Sequence, residues 1–391
     1  MLIGQPVTVL GAGVGGLAVA RALALRGALV TVFEQADAIR EVGAGIQVSP
    51  NGAAVLTALG LGGALDACSL RAQAVELKDG LTGRGVLRLD LARLRPGQGY
   101  HFVHRADLID LLAEGAREAG VEVRLGQKVL EVQLDGDTPV VETANGGHKA
   151  GLLIGADGLH SGVRTALNGN VAAFFTRQVA WRAVIPGDPT DPAIAEVHMG
   201  PGRHLVSYPL RGGTMRNIVA VEERNAWVDE SWSLKDDPAA LRSAFGGFDG
   251  RVRGWLDRVD EVGLWGLFRH PVAKVWQRPT AAGGVAILGD AAHPMLPFLA
   301  QGASMALEDA WVLAASLAGH EGMAAGLAAY QAARIDRVSR VVAAASGNAR
   351  AYHLGGIRRI IAHTGLRLGG RVAPGLAIRR FDWLYGADVT S

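Results

Sequence analysis

The chain has 391 residues, 49% hydrophobic and 19% charged, a balance that excludes intrinsic disorder and allows a large core divided over about two or three domains. Its net charge of +2 gives no electrostatic case for nucleic acid, and a single cysteine, Cys68, permits neither an internal disulfide nor a thiolate metal site. That cysteine usage suits a reducing cytoplasm. No run of about 18 apolar residues predicts a membrane span, and the first strand follows Met1 too closely for a signal peptide.

In chain order, residues 7–10 form a short apolar run, as for a strand buried on both faces. Gly11-Ala12-Gly13-Val14-Gly15-Gly16 follows at once, then an Ala/Leu-rich helix over 17–26, then a second apolar run, 29–33, ending in Glu34. In such a unit Gly11 serves the tight turn, Gly13 the approach of backbone to a pyrophosphate, and Gly16 the packing of helix on strand. The pyrophosphate would sit at the helix N-terminus, where unpaired N–H groups and the dipole favour an anion. Glu34, 21 residues after Gly13, is placed to accept hydrogen bonds from an adenosine ribose. An acid there disfavours a 2′-phosphate, so the site suits FAD or NAD better than NADP.

A glycine-bearing stretch, residues 41–51, then predicts backbone passing close to a ligand. A helix is expected over 52–59, strand-like alternation over 71–100, and a helix over 105–119 with apolar residues at 108, 109, 111, 112 and 116. Strands are predicted near 121–125, 129–133 and 138–143, with Asn145-Gly146 as a hairpin turn. The apolar run 151–155 leads into a second glycine segment, Gly155-Ala156-Asp157-Gly158. Residues 176–270 read as an inserted antiparallel sheet, 285–288 as a buried parallel strand, 302–318 as a long helix and 325–391 as helical and arginine-rich.

The third segment, Gly289-Asp290-Ala291-Ala292-His293-Pro294, puts Asp290 at the C-terminal end of a strand, where doubly wound sheets bind ligands. A carboxylate there accepts hydrogen bonds from flavin ribityl hydroxyls. The N-terminus of the long helix, at Gly302 and Ala303, would face the flavin pyrimidine edge and stabilise the anionic reduced form, by roughly 0.3–2 kcal/mol. Arg105 and Arg164 are placed to reach the dinucleotide, with a helix-start arginine and a turn aspartate in salt bridges as the plainer readings. His293, beside a flavin-binding strand end, is read as structural. His101 and His104 lack a third ligand, so no metal is expected, and no Gly-x-Ser-x-Gly elbow occurs.

These three segments, in this order over nearly the whole chain, resemble the single-component FAD- and NAD(P)H-dependent aromatic hydroxylases. More specific matches resemble the branch with salicylate hydroxylase, 3-hydroxybenzoate 6-hydroxylase and 6-hydroxynicotinate 3-monooxygenase. It is marked by Val42-Gly43-Ala44-Gly45-Ile46-Gln47-Val48-Ser49-Pro50-Asn51, Val179-Ala180-Trp181-Arg182, Pro297-Phe298-Leu299-Ala300-Gln301-Gly302-Ala303 and Asp382-Trp383-Leu384-Tyr385-Gly386. The resemblance implies an α/β fold: a discontinuous Rossmann-like FAD-binding domain (1–70, 101–175 and 275–325), an inserted antiparallel β-sheet substrate domain (71–100 and 176–274) and a C-terminal helical region (326–391). It implies FAD contacts at Val14, Gly15, Glu34, Gln35, Arg105, Val129 (backbone) and Asp290, with Asp157-Gly158 serving both FAD and NAD(P)H. No second Gly-x-Gly-x-x-Gly provides NAD(P)H with a domain of its own. The implied cycle reduces FAD, adds O2 at flavin C4a as a hydroperoxide, and passes one oxygen to a small phenolic or hydroxybenzoate-like ring. A related epoxidase or a hydroxylase of a larger substrate is the alternative. A monomer or homodimer in the cytoplasm is expected.

A phenol becomes a better nucleophile once deprotonated, so a base near its hydroxyl is expected. In relatives the segment 198–210 faces the substrate and carries an acid–base histidine. His204 is the first candidate, with Ser207 and Tyr208 as proton-relay neighbours; Ser207 is the alternative occupant of the histidine position, and a packed or surface His204 is the competing reading. Gln47 and Gln301 are candidates to orient substrate or peroxide, although Gln47 stands where the hydroxynicotinate enzyme is expected to carry a histidine. The basic C-terminal stretch reads as a solvated helical face.

Overall fold

The computed structural model describes residues 2–39, 44–230 and 234–391; Glu41, Val42 and Gly43 of the glycine-bearing stretch 41–51 lie outside them. Two large sheets organise the chain. The first runs, in spatial order, Gln277–Thr280, Gly283–Ile287, Leu152–Gly155, Pro6–Leu10, Leu29–Phe33 and Glu122–Arg124. Every pairing is parallel except that of Gln277–Thr280 with its neighbour. The central strands are short β-branched and leucine runs, and Val9, Leu153 and Val285 are fully buried, as a sheet covered on both faces requires. Helices Val14–Ala24, Arg105–Glu118 and Gly302–Gly319 pack together beside it. A three-stranded meander (Val129–Gln133, Val140–Thr143, Gly146–Lys149) meets it on the face carrying Thr8 and Phe33, through the His148 ring.

The second sheet has eight strands in the order Lys235–Asp236, Val262–Arg269, Phe174–Pro186, Met215–Glu223, Arg203–Leu210, Ile194–Gly200, Ala74–Asp79 and Gly85–Asp90. It is antiparallel apart from the pairing of Ile194–Gly200 with Ala74–Asp79. Alternation divides its residues between two faces. Trp181, Leu205 and Ile218 turn to one side and pack on Phe245, Val252 and Trp255. Ala180, Val219 and Val221 turn to the other and meet Leu296 and Phe298, which follow the first sheet's last strand. A small sheet of Gly45–Val48, His101–His104 and Ser69–Arg71 joins the two.

Three expectations change. The first helix begins at Val14, directly after the glycine turn. Thr143 pairs with Gly146, so the hairpin loop is Ala144-Asn145 and Gly146 already belongs to a strand. The inserted sheet region also contains helices Pro238–Ala244 and Gly250–Leu256. Their starts were legible: Asp237 and Asp249 cap them through backbone N–H groups of Ala239 and Arg251, and Pro238 sits at the first turn. Over 326–391 the chain is helical, with Met323–Tyr352 and Gly356–Val372 as the main elements.

Candidate active site

Gly11 has φ +99°, and a Cβ on it would stand 2.5 Å from the Ala156 carbonyl oxygen; one on Gly16 would stand 1.9 Å from the Gly11 carbonyl oxygen. Only glycine permits this crossing of turn, helix and neighbouring strand. Gly13 differs: the space its Cβ would enter is empty to 4 Å. The helix behind it, Val14–Ala24, has no side-chain cap and no acid in its first turn. Open space over Gly13 before uncapped N–H groups at Val14, Gly15 and Gly16 fits a diphosphate. Glu34 closes the cradle, accepting from the Ala12 N–H at 2.8 Å and the Ala36 N–H at 3.0 Å. Gln35 follows it, exposed, and Val129 opens the meander at its register shift with Thr143.

Gly289-Asp290-Ala291 forms a single helical turn at the end of strand Gly283–Ile287. Asp290 is exposed at its surface, and desolvation by the elements packed around it raises its pKa against the opposing pull of His293, Arg105 and His270. Arg105, at the start of Arg105–Glu118, therefore faces the same cleft as Asp290. Asp157 points elsewhere than a free ligand group would. Its carboxylate accepts from Ser161 Oγ at 2.5 Å and from the Gly162 N–H at 2.9 Å, holding the start of helix Gly162–Asn168. Burial raises its pKa, partly offset by those hydrogen bonds. Arg164 is a correction: its guanidinium donates to the carbonyls of Ala291, Ala292 and Pro271, so it braces the Asp290 turn and does not reach for phosphate.

Behind the cradle lies a buried polar network that sequence reasoning missed. Helix Gly302–Gly319 begins at Gln301 without a side-chain cap, leaving its first N–H groups, at Gly302 and Ala303, uncapped. Nearly two turns in, Glu308 and Asp309 are wholly buried. Asp309 accepts from Arg334 Nε at 2.7 Å, from the Gly289 N–H at 3.0 Å, and pairs with His293 at 2.5 Å. Glu308 accepts from Arg334, Arg337 and Asn51. Burial alone would raise both acids; the neighbouring cations reverse it and hold both below the usual carboxylate range. His293 is structural, clamping the Asp290 turn to the long helix. The Gln301 amide is occupied at both ends, accepting from Asn51 at 3.2 Å and donating to Ser49 Oγ at 2.9 Å. The available signal was an Glu308-Asp309 pair inside an otherwise apolar helix, answered by Arg334 and Arg337 three residues apart.

On the sheet side, Tyr208, Phe102, Tyr100 and Tyr385 form an aromatic cluster, with Tyr208 and Phe102 rings 5.0 Å apart. Gln47 reaches into it and accepts from the Tyr100 hydroxyl at 2.7 Å. Burial raises the Tyr208 phenol pKa, opposed by the positive charge of Arg182 and by Gln47. His204 lies on the same strand face as Tyr208, four residues away, against Phe298 and Tyr352. Burial, with His353 beside it, pushes its pKa well down, so the ring is neutral. Ser207 is a second correction. The pleat turns it to the opposite face, where Arg216 donates to its hydroxyl, so it is no relay partner for His204 or Tyr208. A cavity of about 580 Å³ opens beyond Tyr385, lined by His101, Arg71 and Asp66 among others; it includes neither Gly13 nor Asp290. Among the described residues no cluster of three or more His, Cys, Asp or Glu could hold a metal, and no helix is long and apolar enough to cross a membrane.

A dinucleotide cradle at the C-terminal edge of a parallel sheet, beside a second sheet whose Ala180, Val219 and Val221 face packs on Leu296 and Phe298 just beyond the Asp290 turn, defines a flavoprotein oxidoreductase. The chain belongs to the FAD-binding-domain family, whose model matches residues 5–345. It is an FAD-dependent monooxygenase. It is 35% identical to 3-hydroxybenzoate 6-hydroxylase of Polaromonas naphthalenivorans (strain CJ2) over 98% of this chain and 96% of that one. It is 32% identical to 6-hydroxynicotinate 3-monooxygenase of Bordetella bronchiseptica over 86% and 90%. Among solved structures, Klebsiella pneumoniae HpxO complexed with FAD and uric acid superposes with TM-score 0.82 at 26% identity, covering 95% of each chain. The open cradle over Gly13, the donor-rich helix ends and the Asp290 carboxyl fit FAD.

Proposed function

We propose that the protein hydroxylates a small phenolic aromatic acid, with NAD(P)H and O2 as co-substrates. The observation that supports this reading is the aromatic cluster of Tyr208, Tyr100 and Gln47, with Arg182 close enough for its charge to act on the Tyr208 phenol. Bound FAD supplies oxygen activation, accepting electrons from NAD(P)H. The chain's residues do the rest. The N–H groups at Gly302 and Ala303 bias the flavin edge toward negative charge. Asp290 and Glu34 hold the ribityl and ribose hydroxyls, and Arg105 and the turn at Val14 and Gly15 hold the diphosphate. Tyr100 and Tyr208 stack an aromatic ring and exclude water, Gln47 orients its substituents, and Arg182 favours its anionic form. His204, neutral with its pKa pushed down, accepts the phenolic proton. Gln301, fixed by Ser49 and Asn51, positions the turn that separates FAD from substrate. The two sheets supply the nucleotide and substrate domains respectively, in a cytoplasmic monomer or homodimer.

The test is a screen of hydroxybenzoates and hydroxynicotinates for stimulated NAD(P)H oxidation, with products identified by mass. A singly hydroxylated product is expected from at least one; yellow holoenzyme that none of them stimulates would overturn the reading. His204→Ala should then lower turnover about 100-fold with FAD retained. Because the imidazole pKa is depressed, the wild-type rate should hold through neutral pH and fall only in acid, as the ring protonates and can no longer accept.

A further inference from the structure

His204 does not end at the sheet face. Its Nδ1 lies 2.7 Å from Nε2 of His353, and Nδ1 of His353 lies 2.8 Å from Oε1 of Glu223. The three come from different elements: His204 from strand Arg203–Leu210, Glu223 from the end of Met215–Glu223, and His353 from the C-cap of helix Met323–Tyr352. Backbone contacts lock the arrangement, since the Gly202 N–H donates to the His353 carbonyl and the Glu223 N–H to that of Gly202. Burial changes along the line. The side chains of His204 and His353 are enclosed, whereas that of Glu223 is 54% exposed.

We propose that His353 and Glu223 complete a proton path by which His204 passes the substrate hydroxyl proton to solvent. This rests on the hydroxylase reading above, in which His204 is the base. With Glu223 ionised, His353 donates from Nδ1 and accepts at Nε2; His204 must then donate from Nδ1, which leaves a lone pair on its Nε2. The substrate O–H bond breaks with its electron pair left on oxygen, and a bond forms at His204 Nε2. The His204 Nδ1 proton moves to His353 Nε2, and the His353 Nδ1 proton moves to Glu223 and on to water. Nothing is oxidised or reduced. Return of one proton along the same line, when the product is reprotonated, restores both tautomers.

The groups around the path favour neutral rings. Burial and Arg203 lower His353 while Glu223 opposes them, and Tyr352, pushed up to about 12, stays protonated. Arg203 and Arg224 are themselves paired with Glu222. His353 and Glu223 act through His204 and are positioning residues. A merely structural role, tying the helix end to the hairpin, would be preserved in Glu223→Gln, whose amide oxygen still accepts from His353.

The experiment uses holoenzyme and 3-hydroxybenzoate, or whichever screened acid is turned over. Glu223→Gln should lower kcat about tenfold with KM and flavin content unchanged, and Glu223→Ala should recover rate in added formate. Histidine ring 15N shifts in substrate-free wild type should show both Nδ1–H tautomers near neutral pH. A Glu223→Gln kcat within about twofold of wild type, no formate response, or a His353 protonated at Nε2 would overturn the path. Failure of the hydroxylase reading looks different: no aromatic stimulates wild type, although the 15N pattern is present, and the path then loses its substrate.

Discussion

Around the glycine turn, the groups proposed to meet the nucleotide are backbone N–H donors at Val14 and Gly15 with two carboxylates, Glu34 and Asp290. Across the cleft, the groups proposed to meet the substrate are side chains: Tyr208, Arg182 and His204 on the eight-stranded sheet and Gln47 on the small three-stranded one. The cradle is rigid because backbone elements cross within van der Waals contact and because His293, Asp309, Arg334 and Glu308 pin its far side. The sheet face is a set of side chains on a regular pleat, exchangeable one at a time. A shared nucleotide on one side and differing substrates on the other follow from that difference.

The largest expected effect breaks the pinned side. Arg334→Met leaves Glu308 and Asp309 facing each other without their central cation, and should cost about 3–5 kcal/mol in denaturant unfolding. The same pair gives the pH dependence its sign. Their folded pKa values lie below the ordinary 3.8 and 4.5, so their contribution is complete above those values and is lost as pH falls toward the folded ones. Wild type should therefore lose stability in acid more steeply than Arg334→Met, as read from unfolding midpoints against pH; parallel curves would remove the network from the stability account.

Smaller effects separate the glycines. Gly16→Ala, which drives a methyl into the Gly11 carbonyl, should destabilise by about 3 kcal/mol. Gly13→Ala meets only open space, so its midpoint should shift by less than about 0.5 kcal/mol while FAD affinity drops. Equal loss of stability in both variants would mean that the space over Gly13 is not the nucleotide's. Asp290→Ala, lacking one charge-assisted acceptor, should weaken FAD by about tenfold in equilibrium dialysis with the fold intact. Full flavin occupancy after extensive dialysis would argue against its ribityl role.

The cradle was legible because its chemistry is written in backbone requirements. Gly11 and Gly16 are positions where any side chain collides, and the spacing to Glu34 and the strand ending at Asp290 follow from the length of a strand–helix–strand unit. Asp237 and Asp249 carry readable helix caps within a stretch whose surrounding residues have a strand-like texture. Arg164 and Ser207 take roles their sequence positions do not foretell, for a common reason. Residue type and nearness in sequence say nothing of which face a side chain takes or which carbonyl it finds, and adjacent strand residues point opposite ways.

What the linear order of residues determined, then, is the dinucleotide cradle, the two-sheet architecture and FAD as cofactor, because these depend on local geometry repeated at fixed spacing. Only tertiary structure decided that Glu308 and Asp309 meet Arg334 and Arg337, that Gln301 is held by Ser49 and Asn51, and that His204 leads through His353 to Glu223. Those groups lie between 25 and 252 residues apart along the chain, and buried charges and imidazoles take their roles from partners that only folding supplies.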